Sequence, residues 1–244
     1  MLGRSSILTA LLLLGACDGS DDAPTGPRVD AASIQGPGVV RGKIIFNGTP
    51  PPMTPLANTP CCEGAPPTVP DESVVVNPNG TLANTVVYLS GGPLADGRSL
   101  PPARLDQKFC RYVPHVVGVV VGQTLQVSSS DATLHNVHYS SKYAGDQNKW
   151  TQPGSQSFDT SFTRSEFIQT RCDIHPWMSA YIVVTDTPLY AITTETGAYE
   201  IPNIPVGDYT LVAWHERYGK LERPITVKDG SPIAADFSYA PPSR

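Results

Sequence analysis

The sequence predicts an all-β chain made of two packed sandwiches. From Val39 onward, runs of four to eight residues rich in Val, Ile, Tyr and Thr each end in Gly, Pro, Asn or Asp, the pattern of short strands separated by turns. The 25 prolines and 21 glycines outnumber the 17 basic and 22 acidic residues combined, which favours turns over long helices. No stretch carries the apolar period of a long amphipathic helix. The net charge of −5 comes with no basic stripe, which argues against a nucleic-acid partner.

The elements follow in order. Residues 1–16 read as a signal peptide: Arg4 supplies the positive start, and residues 7–14 are apolar but too short to cross ~30 Å of hydrocarbon. Leu14-Gly15-Ala16-Cys17 resembles the bacterial lipoprotein signal. That resemblance implies acylation of Cys17, export, and a lipid anchor on the periplasmic side of a membrane. Residues 17–37 are acidic, bear Pro and Gly, and lack a hydrophobic period, so a flexible tether is expected. Strands are then expected at 39–46, 73–76, 85–89, 116–121, 124–128, 136–139, 165–170, 181–185, 198–201, 209–214, 224–227 and 235–239. The run 116–121 reads as a strand buried on both faces. A boundary is expected near Asp186-Thr187-Pro188, giving domains of 38–186 and 187–244.

Five histidines and three methionines are few, and they cluster. Leu134-His135-Asn136-Val137-His138 is one segment; Cys172-Asp173-Ile174-His175-Pro176-Trp177-Met178 is the other. One soft thiolate, two imidazoles and a weak thioether form the ligand set of a blue-copper electron-transfer site. The second segment puts three such donors on one tight loop, and the fourth, His135, arrives from a separate strand 37 residues earlier. A zinc site, or plain core residues, would use the same residue types.

The spacing Cys-x2-His-x2-Met with Pro176 after the second His, and the rhythm Gly122-Gln123-Thr124-Leu125-Gln126-Val127 followed by Asp131 and His135, resemble the cupredoxins. The resemblance covers residues 116–186. It implies a Greek-key sandwich, one copper held by His135, Cys172, His175 and Met178, and Asn136 tying the ligand loops together by hydrogen bonds. It also implies His175 as the electron exit, with Pro176 and Trp177 as the apolar rim where a redox partner docks. The stretch around Gly197-Ala198-Tyr199-Glu200-Ile201 and Gly207-Asp208-Tyr209-Thr210-Leu211 is similar to the carboxypeptidase regulatory-like, transthyretin-like β-sandwich, a packing or binding module.

Several residues stay open at this level. Cys110 is expected to pair with Cys61 or Cys62; a vicinal Cys61–Cys62 bridge and a second metal site using Cys110 with His115 are the alternatives. His138 reads as packing or surface, and His215 as structural. With no catalytic triad order and no acid–base pair in view, the chain is not expected to be an enzyme. Two functions are therefore carried forward: a membrane-tethered one-electron copper carrier serving a redox protein or membrane complex, and an accessory lipoprotein that stabilises a respiratory or photosynthetic complex without copper. Copper delivery or storage ranks last, because Met- or His-rich tracts are missing.

Overall fold

A computed structural model describes residues 23–53, 55–57, 67–153, 156–228 and 231–241. The described residues are almost entirely β; the helical piece among them is a single 3-10 turn, Ala31–Ser33. Each of two units is a pair of facing sheets around its own core.

The first unit holds the candidate site. One sheet has the order Gln156–Thr160, Leu125–Ser129, Ala103–Gln107, Tyr112–Val113; the other runs Gly145–Thr151, His135–Ser141, Glu166–Arg171, Ser179–Thr185, Val116–Val120. Inward residues alternate along these strands, as a half-buried sheet requires. Leu125 and Val127 meet Val137, Tyr139, Ile168, Ala180 and Ile182 in one core. Strand Val116–Val120 is buried at every position. It has the core on one side and the second unit on the other. At Gly118 the second unit packs close: a Cβ there would sit 2.3 Å from the Tyr190 ring.

The second unit pairs sheet Tyr190–Ile192, Val86–Ser90, Gly207–His215, Gly219–Val227 with sheet Ala198–Ile204, Gly38–Phe46, Ile233–Ala234, and Phe237–Tyr239 also lies on Gly38–Phe46. Its core joins Val40, Ile44, Val87 and Leu89 to Ile201, Leu211, Ile225 and Phe237. The boundary expected at 186/187 is therefore corrected. Strands Gly38–Phe46 and Val86–Ser90 complete the C-terminal sandwich, and the first unit is an insertion between Val86–Ser90 and Tyr190–Ile192. Sequence order hid this because β-pairing ignores chain distance once the intervening segment folds by itself.

The tether expectation is corrected as well. Residues 23–37 lie on the body. The Ala23 backbone N–H donates to the Tyr143 hydroxyl at 3.1 Å, Arg28 pairs with Asp186 and donates to the Ala95 carbonyl at 2.9 Å, and Val29–Asp30 runs parallel to Ala95–Asp96. Ala31 and Ile34 are buried in the core of the second unit. The expected strand at 73–76 is reduced to a single bridge between Val76 and Leu82.

Candidate metal centre

His135 opens strand His135–Ser141, and Cys172 follows strand Glu166–Arg171 directly; the two strands are antiparallel neighbours. That pairing brings two segments 37 residues apart to the same end of the sandwich. Between Cys172 and Ser179 the chain turns tightly. The Met178 N–H donates to the His175 carbonyl at 2.8 Å, and the Cys172 N–H donates to the Met178 carbonyl at 3.1 Å. The loop therefore folds His175 back over Cys172.

Three donor atoms converge there. His135 Nδ1 and His175 Nδ1 are 2.9 Å apart, with ring centroids 4.7 Å apart and planes at 62°. Cys172 Sγ is 3.6 Å from His175 Nδ1. All three side chains are buried. The Cys110 sulfur also lies within 4.8 Å of nitrogens of both histidines. Cys110 is disulfide-bonded, however, and a disulfide sulfur offers no thiolate. Cys172 is the free cysteine among the described residues.

The surroundings set the chemistry of each donor. Asp131 accepts from His135 Nε2 at 2.9 Å, which leaves Nδ1 as the nitrogen aimed at His175 and Cys172. The Asp131 carboxylate is itself held by the backbone N–H groups of Phe109 at 2.6 Å and Cys110 at 2.9 Å. Both residues have positive φ, 57° and 52°, so their successive N–H groups form a small anion-binding concavity. Burial would raise the Asp131 pKa, but His135 and these two N–H groups bring it below the ordinary carboxylate value. Burial would likewise raise the Cys172 thiol, yet hydrogen bonding from His135 and from the N–H groups of Asn136, His175 and Ile174 lowers it, favouring the thiolate that binds metal. His135 is pushed down by burial but raised overall by Asp131 and Cys172. His175 is lowered by burial and by the neighbouring His135.

Asn136 bridges the two ligand segments. Its Oδ1 accepts from the Asp173 N–H at 2.8 Å and the Cys172 thiol at 3.2 Å, and its amide donates to Asp173 at 2.9 Å and Asn148 at 2.7 Å. The sequence pointed to Asn136. It offered only the bare position of Asp131, and nothing marked the backbone turn at 109–110 that grips it.

Other predicted residues fall as follows. Met178 is buried in the same core as Cys172. Pro176 is exposed and Trp177 half-buried. His175 was expected at the surface as the electron exit; it is 2 % exposed. Its ring is covered on one side by Trp177, at 5.2 Å between centroids, and Trp177 is fixed by its indole N–H donating to the Cys110 carbonyl at 3.0 Å. His138 faces outward, its Nδ1 against Asp173 at 2.8 Å. The second metal site considered for Cys110 and His115 is corrected: Cys110 is disulfide-bonded, and both His115 nitrogens are taken, Nδ1 by the Ser179 carbonyl at 3.1 Å and Nε2 by Glu216. His215 is fully buried, stacked on Tyr218 at 5.0 Å. Cys17, Cys61 and Cys62 lie outside the described residues.

No family model matches the chain, and no curated protein matches it. Solved structures do resemble part of it. A reduced Cu(I) form of an amicyanin variant is 20 % identical and covers 41 % of this chain and 98 % of its own, with a TM-score of 0.32. Amicyanin from Paracoccus versutus is 15 % identical, covering 41 % of this chain and 97 % of its own, TM-score 0.32. A purple cupredoxin from Nitrosopumilus maritimus is 19 % identical, covering 34 % of this chain and 99 % of its own, TM-score 0.30.

Proposed function

We propose that this chain is an exported, lipid-anchored blue (type 1) copper protein that carries single electrons between redox partners and is not itself an enzyme. One observation carries the proposal: the convergence of the buried His135 Nδ1, His175 Nδ1 and Cys172 Sγ at one end of the sandwich, with the imidazole nitrogens 2.9 Å apart. Two imidazoles with one thiolate suit copper in both oxidation states. Bound copper would supply a one-electron couple.

The chain's own residues do the rest. Asp131 fixes the His135 tautomer, the kind of outer support that orients metal ligands. Asn136 holds the Cys172 segment against the His135 strand. Burial excludes water, and Met178, buried in the same core as Cys172, would offer the metal a weakly held thioether. With His175 buried, electrons would leave through the Trp177 and Pro176 edge rather than through the imidazole directly. A redox protein or the exposed head of a membrane complex would dock on this edge through a small, short-lived interface, typically below ~1,200 Å².

The test is a visible spectrum of the chain from residue 23 onward after addition of Cu(II), beside Cys172→Ser. An intense thiolate-to-copper band that bleaches with reductant and is missing from the variant is the expected result. Stoichiometric metal without the band would point to another metal. A folded, colourless and metal-free protein would overturn the proposal in favour of an accessory subunit without copper.

A further inference from the structure

One carboxylate of the second unit touches the histidine that holds the metal loop of the first. Trp214 stacks on Phe167 across the boundary between the units. Two residues later, in the turn between strands Gly207–His215 and Gly219–Val227, Glu216 meets His115 Nε2. His215 shapes that turn: its Nδ1 accepts from the Arg217 N–H at 3.2 Å, and its carbonyl from the Tyr218 N–H at 3.2 Å. The buried His215 thus presents Glu216 to the first unit.

His115 lies just before strand Val116–Val120 and grips the exit of the loop that carries Cys172, His175 and Met178. Its Nδ1 donates to the Ser179 carbonyl at 3.1 Å, and its own carbonyl accepts from the Tyr181 N–H at 2.8 Å. Ser179 directly follows Met178, whose N–H and carbonyl are already committed inside the loop, to the His175 carbonyl and the Cys172 N–H. The next carbonyl along the chain is the one His115 holds. A carbonyl can only accept, so Nδ1 carries a proton. With Nε2 committed to Glu216, the ring cannot turn without leaving an acceptor unpaired. The side chains of His115 and Glu216 are only 3 % and 8 % exposed. At that depth an ion pair adds little net stability, because desolvation offsets the attraction; what it supplies is a fixed direction for the ring. Glu72, a second acid near His115, is paired with Arg111.

We infer that Glu216 is a positioning residue for the metal centre: through His115 it fixes the Ser179 backbone, and with it the placement of Met178. This rests on the proposed copper site, and it gives the second unit a part there beyond packing. A weak thioether donor tunes the reduction potential of such a site, so a carboxylate from the second unit sets it from a distance.

The experiment compares the full chain with Glu216→Ala, which removes the acceptor, and Glu216→Gln, which keeps one. In the metal-free proteins, amide exchange at the Cys172 N–H, bonded to the Met178 carbonyl, reports on the loop. In the copper-loaded proteins the reduction potential reports on the thioether, with Met178→Leu as the reference. Glu216→Ala is expected to speed exchange at Cys172 by roughly tenfold relative to the core amides of strand Glu166–Arg171. It should also move the potential in the same direction as Met178→Leu, while Glu216→Gln matches the parent in both. Glu216→Met, of similar length and without an acceptor, takes the place of Glu216→Ala if that variant misfolds. A lowered melting temperature with exchange and potential both unchanged would overturn the inference and leave Glu216 a purely structural residue. A parent that shows no thiolate-to-copper band would remove the copper reading and this inference together.

Discussion

Asp131 accepts a hydrogen bond from His135 Nε2 at 2.9 Å while its carboxylate is gripped by two backbone N–H groups. One side chain thus leaves Nδ1 as the imidazole nitrogen that would meet a metal. Asp131→Ala should lower copper affinity by about 10- to 100-fold, the usual cost of removing such a partner, and Asp131→Asn by less. Competition against a chelator of known affinity measures this. Unchanged affinity in both variants would show that strand geometry alone orients the ring.

Asn136 joins the two segments with three hydrogen bonds, two of them with Asp173, and holds Asn148 with a fourth. Asn136→Ala leaves the Asp173 N–H without its acceptor. The cost of one such group is about 1–3 kcal/mol, visible as a lowered urea midpoint of the metal-free protein. A midpoint within error of the parent would mean that water replaces the amide at no cost.

His215 is pushed down to about 4, chiefly by burial and then by the charge of His115. The folded state therefore resists protonating it, whereas an unfolded histidine titrates near ~6.5. Its contribution is complete above ~6.5 and is lost as pH falls from there to about 4. His215→Phe, which keeps the stacking on Tyr218, should be less sensitive to acid than the parent. Urea unfolding at pH 7.5 and pH 5 would reveal it; parallel losses in both proteins would assign the acid limb to other groups.

His115 has the opposite sign. Burial lowers it, but Glu216 and the Ser179 carbonyl outweigh burial and raise it. The stabilisation from the pair is full below ~6.5 and is lost as pH rises through the elevated folded value. Glu216→Gln should remove this decline on the alkaline side. The melting temperature followed from pH 6 to pH 9 checks it, and an unchanged slope in the variant would exclude the pair as its source.

Trp214 ties the two units together, stacked on Phe167 at 4.4 Å and edge-on to Tyr181 at 5.1 Å. Trp214→Ala should cost about 3–5 kcal/mol and split a single calorimetric transition into two. One sharp transition at a lower temperature would mean that other contacts suffice to couple the units.

The strands with apolar alternation were legible in the sequence, because burial writes itself into Val, Ile and Leu. Gly145–Thr151 was not: Gly-Asp-Gln-Asn-Lys-Trp-Thr is an edge strand with mostly polar side chains, exposed or half-buried except for Thr151, and backbone pairing leaves no mark on composition. Pro224 falls within strand Gly219–Val227, which is tolerated because that strand lies at a sheet edge. At the site, residue types and spacing pointed to His135, Cys172 and His175 because a metal needs particular donor atoms. The role of Asp131 behind His135 is not written in the spacing, because its grip depends on two backbone conformations, those of Phe109 and Cys110. The burial of His175 is equally unwritten: it depends on packing by Trp177, a contact no spacing specifies.

The inserted unit enters and leaves through neighbouring points of the chain, since the Ala95 N–H donates to the Asp186 carbonyl at 2.8 Å. The host strands on either side, Val86–Ser90 and Tyr190–Ile192, are antiparallel partners with Tyr88 opposite Tyr190. To the host sandwich, the whole first unit is one oversized hairpin loop. Closing a loop costs only as the logarithm of its length, so the host carries this cargo at little thermodynamic penalty. A two-residue turn joining those strands in its place would leave a self-contained β-sandwich, and the same splice point would accept a different cassette.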